Sequence, residues 1–471
     1  MAANYGVNFN ISNGAASPIK VQSDTPIGIA GAIKGASKEM IYTKAGYESV
    51  DSFPIFAFSN VSKAKEFVND LIKENNLQDF RLLDTLECIN LQNVSNVIII
   101  SFFEESEESE NTLTNIVNAI EAFKKAKHKT GFSPDLIIAP YYSHEAGVKA
   151  KLESVASSMN ITAIVDLYAT NVGEAINTME AFSSKRLIAT WPWVQILNTQ
   201  GKYAYVPQSP FIAGLIAHTD GDKEYGFSDS YSNRVMNGVT GTEYFIEFIN
   251  GFDCDADRLR NAHISTCILA EGYRSWGGET SHEDTIWQDL ARVRTFDRIA
   301  LAGQKAAFKA IDKKASELYF IKISIEELLR DLKGAKVLIG YEVSWDEERN
   351  TDANVSAGKF YLNIKMMNNP IVKQITLEFI YSDEAIDKKA SELYFIKISI
   401  EELLRDLKGA KVLIGYEVSW DEERNTDANV SAGKFYLNIK MMNNPIVKQI
   451  TLEFIYSDEW ASDLIKTISA E

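Results

Sequence analysis

A tandem repeat in the C-terminal third places the strongest constraint on how this chain can fold. Residues 310–384 recur without one substitution as residues 385–459 in a chain of 471 residues. Structural repeats of long standing keep the positions that pack and drift elsewhere. Identity at every position therefore indicates a very recent event, namely a gene duplication, an engineered insertion or an error of sequence assembly.

Each copy of the repeat predicts one helix followed by an antiparallel three-stranded meander. In the first copy Ile325, Leu328, Leu329 and Leu332 recur at helical spacing, and Gly334 is a helix stop. Alternating apolar residues then predict three strands, separated by a polar loop and an Asn-Asn-Pro turn. These strands are 337–345, 359–367 and 371–381, and the polar loop is 346–354.

Two identical units compete for a single docking position. The first copy is continuous with a predicted helix at 284–312, and the second is continuous with the C-terminal segment 460–471. We expect one copy to complete the main fold. The other copy is expected to form a satellite domain or an element prone to domain swapping.

The middle of the chain alternates strand and helix patterns. This alternation is typical of a parallel sheet covered by helices. The predicted strands are 96–103, 134–139, 161–167 and 186–190, and the helices between them are 111–126, 143–159 and 172–183. A hairpin follows, with strands 191–197 and 203–207 around a turn at 198–201. Its aromatic residues are interpreted as core or subunit contacts. The fold class is therefore a mixture of α/β and α+β in several domains.

The N-terminus has the pattern of an extended arm. Val7, Phe9 and Ile11 alternate with polar residues, which is the period of a half-buried strand. Turn signals at Asn13-Gly14 and Ser17-Pro18 separate this strand from the body. Such a strand could pair with a sheet of its own chain or with that of a neighbour, and the pattern fits both.

These patterns divide the chain into seven segments. The predicted order is an N-terminal arm, an N-terminal part of the core, the α/β domain, a β-rich and loop segment, a C-terminal domain, its duplicate, and a C-terminal arm. Their boundaries are 1–27, 28–90, 91–200, 201–283, 284–384, 385–459 and 460–471.

Charge and hydropathy argue against several classes of partner. The net charge is −17, whereas proteins that bind nucleic acids present a basic surface. Anionic membrane surfaces are disfavoured for the same reason. The longest apolar stretches are too short to span a bilayer, and the first residues lack the pattern of a secretory signal. We therefore expect no nucleic acid and no direct membrane binding.

An α/β enzyme is the alternative from a different functional class. Sheets of this kind often bind nucleotides at helix N-termini. However, the loop after the first predicted strand, 104–110, carries five glutamates that would repel a phosphate. Gly28, Gly31 and Gly35 do not have the spacing of a phosphate-binding motif. They are interpreted as a turn-rich strand exit.

No catalytic, metal or cofactor site is predicted. Three separate thiols, Cys88, Cys254 and Cys267, suit a reducing compartment and are interpreted as small buried apolar side chains. His263 with Cys254 and Cys267 lacks the spacing of a zinc site. His218 with Asp220 and Asp222 is interpreted as a solvated loop. His282, Glu283 and Asp284 are expected to open the long helix, and no histidine lies in a nucleophile motif.

Five short motifs carry a resemblance to a known family. They extend in order from the first residues to the last predicted strands: Tyr5–Phe9 with 17–19 and 25–31, Val206–Pro210 with Ala213-Gly214, 237–241, 270–277, and 350–354 with 357–359. With these motifs the chain resembles the tail sheath proteins of contractile phages, in particular those of P2-like (FI-type) myoviruses. The resemblance covers about the whole chain once a single 75-residue copy is discounted, and the duplication is its one clear departure.

The resemblance implies a structural subunit and not an enzyme. Sheath subunits stack as hexameric rings in a helical lattice around an inner tail tube, between a baseplate and a tail terminator. Contraction then drives the tube through a target cell envelope, for viral genome ejection. The implied location is the virion tail, assembled in the cytoplasm of the host bacterium. A sheath from an R-type bacteriocin or from another contractile injection system fits the same motifs.

The resemblance also implies residues for strand exchange between subunits. Val7, Phe9 and Ile11 would supply an N-terminal strand to a neighbour. The C-terminal strand and tail would be formed by Ile450, Leu452, Phe454, Tyr456, Trp460 and Leu464. Ordinary packing within one chain is the alternative for all of these residues.

Overall fold

The computed structural model describes most of the chain. The described residues are 21, 24–48, 50, 54–179, 182–313, 315, 317–373, 388–410, 413–421, 423–424 and 437–443. They belong to two compact units, Met1–Ile371 and Val372–Glu471. In the described part of the chain, no helix is both long enough and apolar enough to cross a bilayer.

Fifteen strands and fourteen α-helices make up the described structure. The strands are β1 (Ile27–Gly31), β2 (Ile55–Phe58), β3 (Ile98–Phe102), β4 (Leu136–Ile138), β5 (Thr162–Asp166), β6 (Leu187–Thr190), β7 (Val194–Leu197), β8 (Tyr203–Val206), β9 (Val239–Thr242), β10 (Ile264–Leu269), β11 (Tyr273–Trp276), β12 (Leu338–Trp345), β13 (Leu362–Asn368), β14 (Leu413–Trp420) and β15 (Leu437–Asn443). The helices are α1 (Lys38–Lys44), α2 (Val61–Glu74), α3 (Arg81–Asn90), α4 (Ser109–Glu121), α5 (Ala126–Thr130), α6 (Ala146–Met159), α7 (Val172–Met179), α8 (Ser209–Asp222), α9 (Asp255–Asn261), α10 (Thr285–Gln288), α11 (Leu290–Phe308), α12 (Glu317–Gly334), α13 (Asp352–Ser356) and α14 (Lys388–Gly409).

Eight strands of the larger unit form one sheet in the order β11-β10-β6-β5-β4-β1-β3-β2. The six inner strands run parallel, and the two edge strands are antiparallel to their neighbours. Because side chains alternate along a strand, Ile98 and Ile100 enter one core while Ile99 enters the other. Helices α2, α3 and α8 cover the first face, and α4, α6, α7 and α9 cover the second. The mixed α/β class is therefore confirmed.

The predicted alternation of strands and helices in the middle of the chain is found, with shorter elements. Three of the predicted segments contribute strands to one sheet. Strand β1 lies at the centre of the large sheet between β3 and β4, and β10 and β11 extend its other side. Segments 28–90, 91–200 and 201–283 therefore supply strands to one sheet, because parallel pairing joins segments that are distant in sequence.

The interpretation of Gly28 and Gly31 as a strand exit was wrong, since both lie within β1. A Cβ atom on Gly28 would stand 2.9 Å from the ring of Phe123, and one on Gly31 would stand 2.7 Å from Leu82. Glycine is needed there because helices pack closely on both faces of the strand. Gly35, at φ +87°, does form a turn.

The predicted hairpin is present. Strands β7 and β8 pair antiparallel, and β9 adds to the other side of β7. Trp191 is buried and its indole N–H donates to the carbonyl oxygen of Ala169, whereas Tyr203 and Tyr205 are exposed. The aromatic residues of this region therefore divide between core and surface.

The predicted long helix begins later than expected. Asp284 caps the short α10, and Asp289 caps α11, each by accepting from a backbone N–H two residues on. The chain bends between them because each N-cap residue has extended backbone. His282 and Glu283 precede both helices.

The first repeat copy folds as a helix and an antiparallel hairpin. Helix α12 ends at Gly334, and β12 pairs with β13 so that Val343 lies opposite Ile364. The loop at 346–354 includes the start of α13, which the sequence analysis did not predict; the Thr351 hydroxyl caps this helix. Most of the predicted third strand, 371–381, lies outside the described residues.

The second copy repeats this local structure. Helix α14 precedes β14 and β15, and Val418 lies opposite Ile439 in the same register. Equal sequence therefore gives equal hairpin geometry in both units, as local turn and pairing preferences require.

Asp166 lies at the end of β5 and fixes the start of α8. Its carboxylate accepts hydrogen bonds from the Ser209 N–H at 2.8 Å and the Ser209 hydroxyl at 2.6 Å. The Ser143 hydroxyl donates to it as well, at 3.1 Å. Burial nevertheless raises the pKa of Asp166 to about 6 from 3.8, because desolvation disfavours the charged form.

This raised pKa predicts a pH dependence of stability. The folded state binds the proton of Asp166 more tightly than the unfolded state, so the stabilisation is full below pH 4 and is lost as pH rises to about 6. A shift of two units corresponds to about 3 kcal/mol. Urea unfolding from pH 4 to 7 should show wild type losing about this much relative to Asp166→Asn. Parallel pH profiles for the two proteins would contradict the assignment.

Candidate assembly site

A buried ionic cluster holds the point where the N-terminal segment enters the body. The Asp220 carboxylate, near the end of α8, pairs with Arg294 and lies 3.5 Å from Arg298. The Thr25 hydroxyl donates to the same carboxylate, and Arg298 donates to the carbonyl oxygen of Asp24 at 3.0 Å. Residues from three distant parts of the chain therefore meet at the amino end of β1.

The charges of this cluster are largely balanced within it. Arg298 also pairs with Asp135 at 2.8 Å, just before β4. Burial raises the pKa of Asp135 and lowers that of Arg294, as desolvation does for an acid and a base. Buried charges are stable only when they are paired. Removing one partner would therefore leave the others as unpaired buried charges, which destabilises the fold.

Reading His218, Asp220 and Asp222 as a solvated loop was wrong. All three lie on α8, and Asp220 is buried. The helix places Asp220 against α11, where the two arginines project from the inner face. No metal cluster of His, Cys, Asp or Glu occurs in the described ranges. Cys88, Cys254 and Cys267 are buried free thiols, as predicted.

Arg294 and Arg298 were not predicted as functional residues from the sequence. The available signal was their spacing of four residues on a helix whose neighbouring positions, such as Ala291 and Ala302, are apolar and buried. Two arginines on the inner stripe of an amphipathic helix require a buried acid. The sequence does not indicate which acid supplies the charge, because Asp220 is 74 positions away from Arg294.

The C-terminal hairpin of the larger unit forms a second part of the site. Its core joins α11 to α12 through Ile299, Ala302, Leu329 and Leu332, and Val21 of the N-terminal segment packs against this same core. Val21 therefore lies against the core that the hairpin shares with α11 and α12.

Among the described residues, β12 and β13 each have one edge that pairs with no strand. Within the described residues, β12 pairs with β13 and with no other strand. An edge strand presents backbone N–H and C=O groups that can pair with an added strand. The hairpin and the entry point of the N-terminal segment thus lie together in the larger unit.

The residues predicted for strand exchange lie outside the described part of the chain. These residues are Val7, Phe9 and Ile11 at the N-terminus and Ile450, Leu452, Phe454, Tyr456, Trp460 and Leu464 at the C-terminus. Their roles therefore stay predictions. The structure does describe the places in the larger unit that adjoin the N-terminal residues, namely Val21 and Asp24.

The two repeat copies differ in what covers their helices. Leu328 on α12 is 5% exposed, whereas its counterpart Leu403 on α14 is 59% exposed. The first copy shares its core with residues of α11. The core of the second copy contains Leu404, Val418 and partly buried residues of the same copy. The first copy therefore packs against α11 within the larger unit.

Comparison with known proteins finds similarity to tail sheath proteins. No protein-family model matches the chain. A prophage major tail sheath protein of Pseudomonas aeruginosa (strain UCBPP-PA14) is 34% identical over 256 residues, which cover 53% of this chain and 65% of the relative. The tail sheath protein of Escherichia phage P2 is 26% identical over 264 residues, covering 54% and 65%. That of Burkholderia phage BcepMu is 26% identical over 282 residues, covering 55% and 57%.

These matches span less than two thirds of each of the three relatives. They confirm the resemblance to phage tail sheath proteins that the sequence motifs indicated.

Solved structures share the fold at low sequence identity. The helical sheath of the anti-feeding prophage in its contracted state aligns with a TM-score of 0.57 and 17% identity, over 81% of this chain and 100% of that chain. The contracted sheath complex of the extracellular contractile injection system PVC aligns with a TM-score of 0.60 and 14% identity, over 82% and 99%. The mixed α/β fold is therefore shared with these sheath chains.

The ionic cluster predicts a large cost for neutralising its acid. Asp220→Asn leaves Arg294 and Arg298 without their shared carboxylate, so urea unfolding should show a loss of about 3–5 kcal/mol. The control is Asp70→Asn, which removes an exposed partner of Lys44 and should cost at most about 1 kcal/mol. Equal losses in the two variants would show that the cluster does not stabilise the fold.

The docking of the first copy predicts unequal effects of one substitution at equivalent positions. Leu328→Ala should lower the free energy of unfolding by about 2–5 kcal/mol, because it opens a cavity in a packed core. Leu403→Ala removes an exposed side chain and should change it by no more than about 0.5 kcal/mol. Urea titrations of both variants make the comparison. A larger loss for Leu403→Ala would mean that the second copy docks instead.

Proposed function

We propose that this chain is a structural subunit of a contractile tail sheath, which polymerises around an inner tube and contracts to drive that tube through a cell envelope. Its curated relatives are tail sheath proteins. The observation in the structure that best supports the proposal is the hairpin of β12 and β13, whose edges lie in the same unit as the entry point of the N-terminal segment.

Strand exchange is the proposed mode of linkage. The alternating residues Val7, Phe9 and Ile11 would add a strand to a hairpin edge of a neighbouring subunit. The alternating residues Ile450, Leu452, Phe454 and Tyr456 would form a second strand of this kind, and Trp460 and Leu464 would anchor the tail. Main-chain hydrogen bonds along an added strand give affinity, and the buried alternate side chains set the register.

The ionic cluster gives this linkage a fixed starting point. Asp24 and Thr25 are held by Arg298 and Arg294, which belong to the helix that continues towards the hairpin domain. A strand donated from a fixed point reaches a defined distance, at most about 3.5 Å per residue. The roughly twenty residues that precede Asp24 are long enough to reach an adjacent subunit. Their length would limit the distance between the two subunits.

Contraction follows from two packing states of one lattice. A subunit with a rigid core can rotate and move outward as a body while its donated strands keep neighbours connected. No nucleotide is required if the extended lattice is metastable and the contracted lattice is lower in free energy. The proposed partners are other copies of this chain in hexameric rings, an inner tube protein, and baseplate and terminator proteins. The proposed location is the virion tail, after assembly in the bacterial cytoplasm.

Electron microscopy of the purified protein tests the proposal. Negatively stained samples over a range of concentrations should contain tubes or stacked rings. A monomer that stays monodisperse at high concentration would contradict the proposed function.

The N-terminal strand predicts a matched pair of variants. Val7→Asp with Phe9→Asp places two charges on the predicted buried face of the donated strand and should abolish long polymers while leaving a folded monomer. Asn8→Asp with Asn10→Asp adds the same net charge on the opposite face and should still polymerise. Circular dichroism verifies folding, and microscopy scores polymers. Tubes formed equally by both variants would refute strand donation by this segment.

A further inference from the structure

A basic cleft opens at the amino end of the large sheet. It has a volume of about 300 Å³, and its charged lining residues are Lys127, Asp135, Arg294, Asp297, Arg298 and Lys305. Four of these side chains are cationic and two are anionic, so the lining carries a net charge of +2 in a chain whose net charge is −17. The cleft is therefore a local exception to the acidity of the molecule.

The cationic groups of the cleft differ in exposure and in hydrogen bonding. Lys127 and Lys305 are exposed at the rim. Arg294 is buried, and its Nε and Nη1 atoms have no hydrogen-bond partner among the described residues. Unpaired buried donors are rare in folded proteins. Arg294 and Arg298 are paired with Asp220 and Asp135 through other atoms, so the positive charge at the opening is carried by the exposed Lys127 and Lys305. This arrangement favours an anionic occupant.

An acidic loop lies at the opposite edge of the same sheet. This acidic loop is defined as residues 104–110; it follows the carboxyl end of β3 and includes the first two residues of α4. The backbone N–H of Lys38 donates to Glu104 at 2.8 Å, and Arg81 pairs with Glu105 at 2.6 Å, so the base of the loop is fixed. Its outer glutamates, Glu107, Glu108 and Glu110, are exposed.

Topology places these two surfaces on opposite sides of the subunit. Pro26, Asp135 and Thr162 in the cleft stand at the amino ends of β1, β4 and β5. These strands are parallel to β3, directly or through their neighbours. The cleft and the acidic loop are therefore separated by the length of the sheet and cannot meet within one copy.

We infer that copies of this chain associate head to tail, with the acidic loop of one copy against the basic cleft of the next. Opposite charges on opposite sides of one molecule attract between copies, and a contact between two different surfaces builds rings or open helical filaments. The inference rests on the proposed function, because it names a contact between stacked subunits. Its occupant is a carboxylate loop of a second copy.

Charge reversal tests the contact. Glu107→Lys, Glu108→Lys and Glu110→Lys together should raise the protein concentration needed for polymers about tenfold, since exposed ion pairs contribute modestly and together. Lys127→Glu with Lys305→Glu should act in the same direction. Combining both sets in one chain should restore assembly, because the charges are then exchanged. The control Glu247→Lys, Glu271→Lys and Glu283→Lys adds equal charge at exposed positions elsewhere and should not shift the concentration.

A second measurement separates this inference from the proposed function. Mixed ¹⁵N-labelled and unlabelled wild type, treated with a carbodiimide at low salt, should yield intermolecular links between residues 104–110 and Lys127 or Lys305. If wild type forms no polymer, the sheath proposal fails. The presence or absence of these crosslinks would still show whether the acidic loop of one copy contacts the basic cleft of another. The inference is overturned if no such links form, or if the loop variant polymerises like its control, or if the combined variant shows no recovery.

Discussion

The carboxylate of Asp220 is the contact on which the arrangement of the larger unit most depends. It lies between two buried arginines of α11 and the hydroxyl of Thr25, and so joins segments that are 195 and 74 positions apart. An apolar cluster of similar volume could stabilise a core equally well. An ionic cluster has directional partners, however. It fixes where β1 begins relative to α11, and an apolar cluster would leave that relation looser.

Helix α11 connects the ionic cluster to the core of the C-terminal hairpin. Below the cluster, α11 shares a core with α12 through Ile299 and Ala302, and Val21 reaches this core from the N-terminal side. Asp24 and Thr25, at the end of the N-terminal segment, and the core of the hairpin are therefore both positioned by α11. In the proposed lattice, neighbouring subunits are linked by donated strands. Because α11 fixes both the end of the N-terminal segment and the hairpin, it would limit how far a subunit can move before these strands are stretched.

The repeat distinguishes structural features that the local sequence determines from those that tertiary packing determines. Identical sequences give hairpins with the same register and the same irregularity near Leu338 and Leu413. Leu328 and Leu403 nevertheless differ in exposure, since Leu328 belongs to the core that the first copy shares with α11 and Leu403 is exposed on its own copy. The sequence alone predicted that two units would compete. Only the structure identifies the first copy as the one that α11 accepts.

Elements with a clear periodicity were predictable, and relations between distant elements were not. Strands β3 to β6 are mostly apolar and are buried throughout, and their order along the chain predicted a parallel sheet. Strand β1 was not predicted, since Gly28 and Gly31 were interpreted as a turn-rich strand exit, and glycine weakens a strand pattern. Its central place became evident only from the helices that approach Gly28 and Gly31. The acids and bases of the cluster lie on separate elements, so no local pattern brings them together.

The two kinds of contact proposed between copies have different physical properties, and a contractile lattice needs both. An added strand forms several backbone hydrogen bonds at once and resists separation until most of them break. A loop of exposed glutamates against a basic cleft is screened within about 10 Å at moderate salt and can re-form at a new position. If stacked subunits shift while remaining connected, the contact that yields must be the weaker, charged one. On this argument the acidic loop and the basic cleft set the register of the extended state, and the donated strands preserve connectivity during the change.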